Sequence, residues 1–279
     1  MSATSPTSPL AAVSAPRRDP AGRSRSADTA LALVPPLVFG VIFVAGWEAV
    51  VRGFDLKPYF LPKPSDIARA FADNWRLVGE VTLVSGTNAL IGLLCGIALG
   101  IACSFLLMRF DVLNELATPL AVALNAVPIV VVTTIFYRWY PDTSEIPRRL
   151  IVAVVVYFII LVNVSKGLRS VGATHLELLR SLAASPRAVL VKARIPNAVP
   201  FLFTALKIAA PTAVITAFVA EYFGGRQNGL GSYIKSAFAN SRTAMAWAYV
   251  LGACALGLGF YLISILLERL THHRQRTLG

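Results

Sequence analysis

Apolar residues in this chain come in long, nearly unbroken runs separated by short polar stretches. The runs lie near 30–51, 81–108, 116–137, 150–165, 198–223 and 244–267. Most reach the roughly 20 apolar residues that a helix needs to cross a hydrocarbon core about 30 Å thick. The fourth is short, and it is expected to gain length from Ile146 at one end and from a snorkelling Lys166 at the other. Strands of ~10 alternating residues, the mark of a β-barrel, are not visible. In lipid each helix satisfies its own backbone polar groups. The pattern therefore predicts an all-α polytopic membrane protein with about six transmembrane helices.

The polar interruption at 174–196, THLELLRSLAASPRAVLVKARIP, differs from the other loops. Thr174 and Glu177 have the spacing of a capping box, which predicts a helix start. Ser185-Pro186 repeats the start signal, an N-cap hydroxyl followed by proline at the first helical position, and Pro196 is expected to end the second helix. Helix, bend, helix is the expectation. Leu176, Leu179 and Ala183 fall near one face of the first helix with Arg180 beside them, an apolar stripe that a partner's groove can bury while the charge fixes register.

Composition sharpens this picture. With 56% hydrophobic and 14% charged residues an ordinary soluble domain is excluded. The first 29 residues, rich in Ser, Pro, Ala and Arg, read as a disordered cytoplasmic tail, followed by a membrane domain over 30–268 with its loop at 166–196 and a cytoplasmic tail over 269–279. The first apolar run is full span length with no small-residue cleavage site after it, so it is expected to stay attached. A net charge of +12 sits in short loops beside the spans, which reads as membrane-surface charge and not as a nucleic-acid footprint. With both termini inside, Lys and Arg are only slightly in excess on the cytoplasmic side.

Reactive chemistry is sparse. Cys95 and Cys103 lie about 12 Å apart along one predicted helix, too far for a disulfide, and Cys254 is in another span. No metal-ligand cluster is apparent, and His175, His272 and His273 all fall in segments expected on the cytoplasmic side, without a nucleophile to serve. No phosphate-loop motif is present, so ATP hydrolysis and any other enzymatic activity are not expected of this chain, and no cofactor is expected on it. Polar residues within spans are costly against lipid and mark a solute path or a helix contact. Asn125, Thr133, Thr134, Asn163, Thr212, Thr216 and Glu221 are the path candidates, and Asn88 and Thr204 share their setting. Lys207 is expected to reach toward the cytoplasmic gate or to snorkel. Gly92, Gly96 and Gly100, four apart, predict close packing of the second span, and Pro128 and Pro211 are expected to loosen their helices.

From Asn163 onward the chain reads N-V-S-K-G-L-R-S-V, then Glu177-Leu-Leu, Ala183-Ala-Ser185 and Ile195-Pro196, with Lys207, Glu221 and Gly229-Leu-Gly231 further along, and this resembles the inner-membrane permeases of binding-protein-dependent ABC importers. Their loop signature is Glu-Ala-Ala, three residues, Gly, nine residues, Ile-x-Leu-Pro, and Glu177 and Pro196 fall in register with its first and last positions. Leu178 and Leu179 replace the two alanines, Ala183 the glycine, Ala193 the Ile and Ile195 the Leu. With Ala at 183 the bend is expected to be made by Ser185-Pro186. Leu61-Pro-Lys-Pro-Ser65 resembles an element of the nitrate, sulfonate and taurine branch.

The resemblance implies a type I importer permease in the bacterial cytoplasmic membrane. It would act as a homodimer surrounded by lipid, with separate ATPase subunits and an extracytoplasmic solute-binding protein. Leu176, Glu177, Leu179, Arg180, Ala183, Ser185, Pro186 and Pro196 would couple it to the ATPase. The substrate would be a sulfonate, taurine or nitrate-like anion, or a heteroaromatic vitamin precursor. An ion-coupled secondary transporter or a channel is the alternative; it would show inverted repeats or a mid-membrane acidic relay, and neither is evident in the chain.

Overall fold

Glycine sets a close contact between two of the long helices. In a computed structural model, which describes residues 25–110 and 126–276 with Glu115, Leu116, Pro119 and Ala123 between them and side chains from 34 to 271, helix α3 (Trp75–Leu107) lies along helix α5 (Ile146–Arg169). A Cβ added at Gly92 would come within 2.5 Å of Val152, one at Gly96 within 2.7 Å of Val156, and one at Gly100 within 2.8 Å of Ile160. Three successive turns of α3 thus receive three successive branched side chains of α5. Close packing at this spacing is what the sequence predicts, since in lipid small residues gain contact by letting backbones approach.

Helix α8 (Ile195–Phe223) is the other organiser, packing against α3, α5, α9 (Leu230–Ala239) and α10 (Thr243–Arg276). Its Ala205, Ala209, Ala213 and Ala217 are fully buried, and they join Ala89, Val152, Val156 and Ile160 in one core. A second core gathers Val78, Val81, Leu230, Ile234, Ala246 and Tyr249 where α9 folds back between α3 and α10. Away from these contacts Leu83, Leu94, Ile215, Leu258 and Leu266 are each more than half exposed, as lipid-facing side chains must be.

Among the described residues five helices are long and apolar enough to cross a membrane: Val34–Gly53, Trp75–Leu107, Ile146–Arg169, Pro186–Phe223 and Thr243–Thr271. They correspond to five of the six hydropathy runs. In the run at 116–137, α4 (Ile129–Arg138) starts after a non-helical Pro128, and of the residues before 126 Leu116, Pro119 and Ala123 are described, each as helical. The fourth span has the extra length expected of it, since α5 starts at Ile146 and passes an exposed Lys166 to reach 24 residues. Helix α1 (Arg25–Gly53) is described from within the expected tail, and residues 1–24 lie outside the described part. Through Ala49 it belongs to a unit separate from 50–279. At the other end α10 runs on to Arg276, so that most of the segment taken as a C-terminal tail is helical. Hydropathy gives no sign of α2 (Pro64–Asp73) or α9, ten residues each and amphipathic, too short to register as spans.

The polar loop contains α6 (Ala173–Ser181) and α7 (Pro186–Val189), and two expectations about it are overturned. There is no Thr174–Glu177 capping box: Gly172 occupies the N-cap, and its carbonyl accepts from the backbone N–H groups of His175 and Leu176. Pro196 ends nothing. A π turn at Leu190–Arg194 joins α7 to α8, and Pro196 sits at the start of α8, where the widened turn absorbs its missing N–H. Pro211 likewise lies inside an unbroken α8. Ser185 does cap α7, its Oγ accepting from Ala188 N at 3.3 Å.

Candidate functional site

At the end of the bundle away from the hairpin, a loop of two glycines, three polar residues and a third glycine (224–229) closes over a buried charge network. Glu221, in the last turn of α8, and Arg148, in the first turn of α5, are both fully buried. Arg148 Nη1 lies 3.4 Å from Glu221 Oε1 and 3.1 Å from Glu145 Oε2. The same guanidinium donates to Asn228 Oδ1 at 3.0 Å and to the Arg226 carbonyl at 2.7 Å. Glu221 Oε2 accepts from Ser85 Oγ at 2.6 Å and from Gly231 N at 3.2 Å. Ser85 Oγ in turn accepts from Leu230 N at 2.8 Å, satisfying a donor at the start of α9. Asn88 extends the network, donating to Glu145 at 3.0 Å and accepting from Arg149 Nε at 2.8 Å. Gly229 and Gly231 lie directly against the Glu221 side chain, while Gly224 and Gly225 lie against the Tyr137 ring, leaving no room for a Cβ.

This arrangement fastens α3, α5, α8 and the start of α9 to one another. Two buried charges paired with each other and with most of their remaining lone pairs and protons hydrogen-bonded are tolerated in an interior, whereas one alone is not; Arg148 Nε is the donor of this network left without a partner among the described residues. The sequence counts Arg148 with the loop charges; the fold takes it inside, where it meets a carboxylate 73 residues away in the chain. Glu221 is enclosed by these partners and does not line the cavity described next.

Between α4, α5 and α8 lies a cavity of about 510 Å³. Pro128, Val132, Ile151 and Phe158 form its apolar wall, and Thr212 and Thr216 supply its hydroxyls. Among the described residues no charged side chain lines it. Of the path candidates the structure brings Thr212 and Thr216 here. Thr212 Oγ1 donates to the Ile208 carbonyl at 2.7 Å, which leaves its lone pairs for a solute. Thr133 is fully buried and donates to the Ile129 carbonyl of its own helix, and Thr134 and Asn163 bond to the Val130 and Ile159 carbonyls in the same way. Those three are not among the lining residues. Asn125 lies outside the described residues.

At the opposite end stands the hairpin. Leu176 and Leu179 are half-buried, Glu177 and Arg180 are exposed, and the most open apolar side chains are Leu178 and Leu182, 57% and 70% exposed. Spaced four apart, these two form a stripe that choosing the Leu176, Leu179 and Ala183 face overlooks; counting from Leu178 would have found it. Ala183 has φ +52°, in the left-handed region. Its N–H bonds to the Arg180 carbonyl and that of Ala184 to the Leu179 carbonyl, the crossed pair of a Schellman cap. The bend expected from Ser185-Pro186 is therefore begun at Ala183 itself, at a cost of about 1–2 kcal/mol that glycine would avoid. Higher on α8, Lys207 is taken up by Glu268 of α10, both carboxylate oxygens at 3.0 Å.

Residues 92–277 match the family model for the inner membrane component of binding-protein-dependent transport systems. The chain is 32% identical to the formylaminopyrimidine transport permease protein ThiX of Halalkalibacterium halodurans over 204 residues, covering 72% of this chain and 80% of that protein. It is 27% identical to the putative aliphatic sulfonates transport permease protein SsuC of Bacillus subtilis, covering 79% and 80%. It is 26% identical to the nitrate import permease protein NrtB of Leptolyngbya laminosa, covering 63% and 62%.

Proposed function

The chain belongs to the family of inner membrane components of binding-protein-dependent transport systems, a multi-pass ABC transporter permease for a small solute, and on that premise we propose how it works. Two copies form the pathway. The 173–194 hairpin faces the cytoplasm and docks on a separate ATPase subunit, and the 224–229 end faces the solute-binding protein. Both termini are cytoplasmic. ATP-driven closure of the ATPase pair pulls on α6, and the π turn joining α7 to α8 passes that movement into the helix that carries Thr212 and Thr216. The Glu221–Arg148 network keeps the far end of α8 fixed to α3 and α5, so that displacement at the hairpin end tilts α8 about this anchor.

The substrate we favour is a small uncharged heteroaromatic compound of the aminopyrimidine kind. The observation that carries this reading is the lining of the 510 Å³ cavity: apolar walls, the Phe158 ring and two threonine hydroxyls, without a cation among the described residues. Such a site stacks a flat ring and hydrogen-bonds its nitrogens, whereas a sulfonate or nitrate calls for Arg or Lys. A thiol-protection assay tests it. In a background with Cys95, Cys103 and Cys254 replaced, Thr216→Cys should react with a small water-soluble maleimide, and formylaminopyrimidine should slow that reaction while ethanesulfonate and nitrate do not. Protection by the anions and not by the pyrimidine would overturn the assignment.

A further inference from the structure

A second cavity, of about 520 Å³, lies at the hairpin end. Four arginines line it: Arg109 just beyond α3, Arg180 in the last turn of α6, Arg187 in α7 and Arg194 in the π turn. Apolar Met108 and Leu190 share the wall, and among the described residues no acidic side chain does. Among the described residues none of the four guanidinium groups has a carboxylate partner. The contrast is with the far end of the molecule, where every arginine of the buried network is matched to Glu145, Glu221 or an amide.

Four guanidinium groups around one space, without a carboxylate partner among the described residues, repel one another, and what relieves them is an anion with several oxygens; the fork of Arg suits phosphate in particular. Met108 and Arg109 bring the cavity to the foot of α3, where Leu106 and Phe110, their neighbours in the chain, are apolar and 56% and 49% exposed. Charge and apolar surface are thus arranged in the order in which a phospholipid presents headgroup and acyl chain. We propose that this cavity holds the phosphate of an anionic phospholipid, tying the hairpin to the end of α3. The lipid is of the inner leaflet, which rests on the cytoplasmic orientation proposed above. A protein partner's carboxylates are the competing occupant. The position beside the apolar foot of α3, and not on the open Leu178 and Leu182 stripe, favours lipid.

Native mass spectrometry of the full-length permease in detergent reads this directly, with titration of dioleoyl phosphatidylglycerol, dioleoyl phosphatidylcholine or inorganic phosphate. Phosphatidylglycerol should bind at least about tenfold more tightly than phosphatidylcholine. The double variant Arg109→Gln/Arg187→Gln should lose roughly thirtyfold, each basic residue near an anionic headgroup contributing about fivefold. Arg109→Lys/Arg187→Lys should keep most of the affinity, and Arg76→Gln, at the other end of α3, should change nothing. If inorganic phosphate displaces the lipid at equal concentration and with the same arginine dependence, the phosphate site stands and its ligand is a soluble anion. Phosphatidylglycerol binding unchanged in the double Gln variant would overturn the proposal, as would a double Gln variant whose one defect is failure to assemble with the ATPase. Orientation is read separately: Ser185→Cys labelled by an impermeant maleimide from outside intact cells would refute the cytoplasmic placement and leave the titration as it is.

Discussion

Arg148 faces two carboxylates while Glu221 faces one cation, and that asymmetry has a measurable consequence. Removing Arg148 strands a fully buried carboxylate, the change that typically costs about 3–5 kcal/mol. Removing the charge of Glu221 leaves Arg148 still paired with Glu145, and an amide at 221 can still accept from Ser85; a loss of about 1–2 kcal/mol is expected. Arg148→Met should therefore lower the thermal midpoint of the purified permease considerably more than Glu221→Gln does, followed by tryptophan fluorescence in detergent. Combining the two should recover part of the loss, because the stranded charge is gone. Equal, additive effects would mean that the pair is not coupled. None of this is visible in the chain itself. Glu221 stands out in sequence as an acid in an apolar span, but nothing near it names a partner 73 residues away or a serine 136 residues away.

Among the helices, the seam between α3 and α5 makes a strict demand on residue size. Gly96→Ala places a methyl group within 2.7 Å of the Ala153 carbonyl and Val156, so the helices must part, at about 1–3 kcal/mol. Gly79 lies on the same helix with nothing within 4 Å of its missing Cβ, and Gly79→Ala should be neutral or gain up to about 1 kcal/mol in helix propensity. Thermal melts of the two variants should move in opposite directions or only the first should move. A larger loss at Gly79 would contradict the packing. The spacing of Gly92, Gly96 and Gly100 makes the seam legible in sequence, though not the identity of its partner, since period-four small residues fit any helix. In the hairpin the local signals divide. Ser185-Pro186 states its cap correctly because hydroxyl, proline and N–H lie within four residues. Thr174 and Pro196 mislead because a glycine two residues upstream and a π turn, neither of which leaves a pattern, take over their roles.

For the molecule as a whole, hydropathy suffices for the long helices, because length in lipid is a strong constraint on sequence. It misses α9, whose ten residues are held by Ser85, Glu221 and the second core and not by lipid. In the proposed mechanism the two polar ends divide the work: a locked network where α8 meets α3 and α5, and an open hairpin whose exposed Leu178 and Leu182 the ATPase would cover. The central claim is that an ATPase grips this hairpin. Leu178→Asp/Leu182→Asp alters two exposed side chains, so the permease should still insert and melt as the parent does. The decisive measurement is the amount of ATPase subunit that co-purifies with this variant when both are expressed together. A loss of tenfold or more, with the permease itself unchanged, is the result the account predicts; ATPase recovered at the parent's level would contradict it.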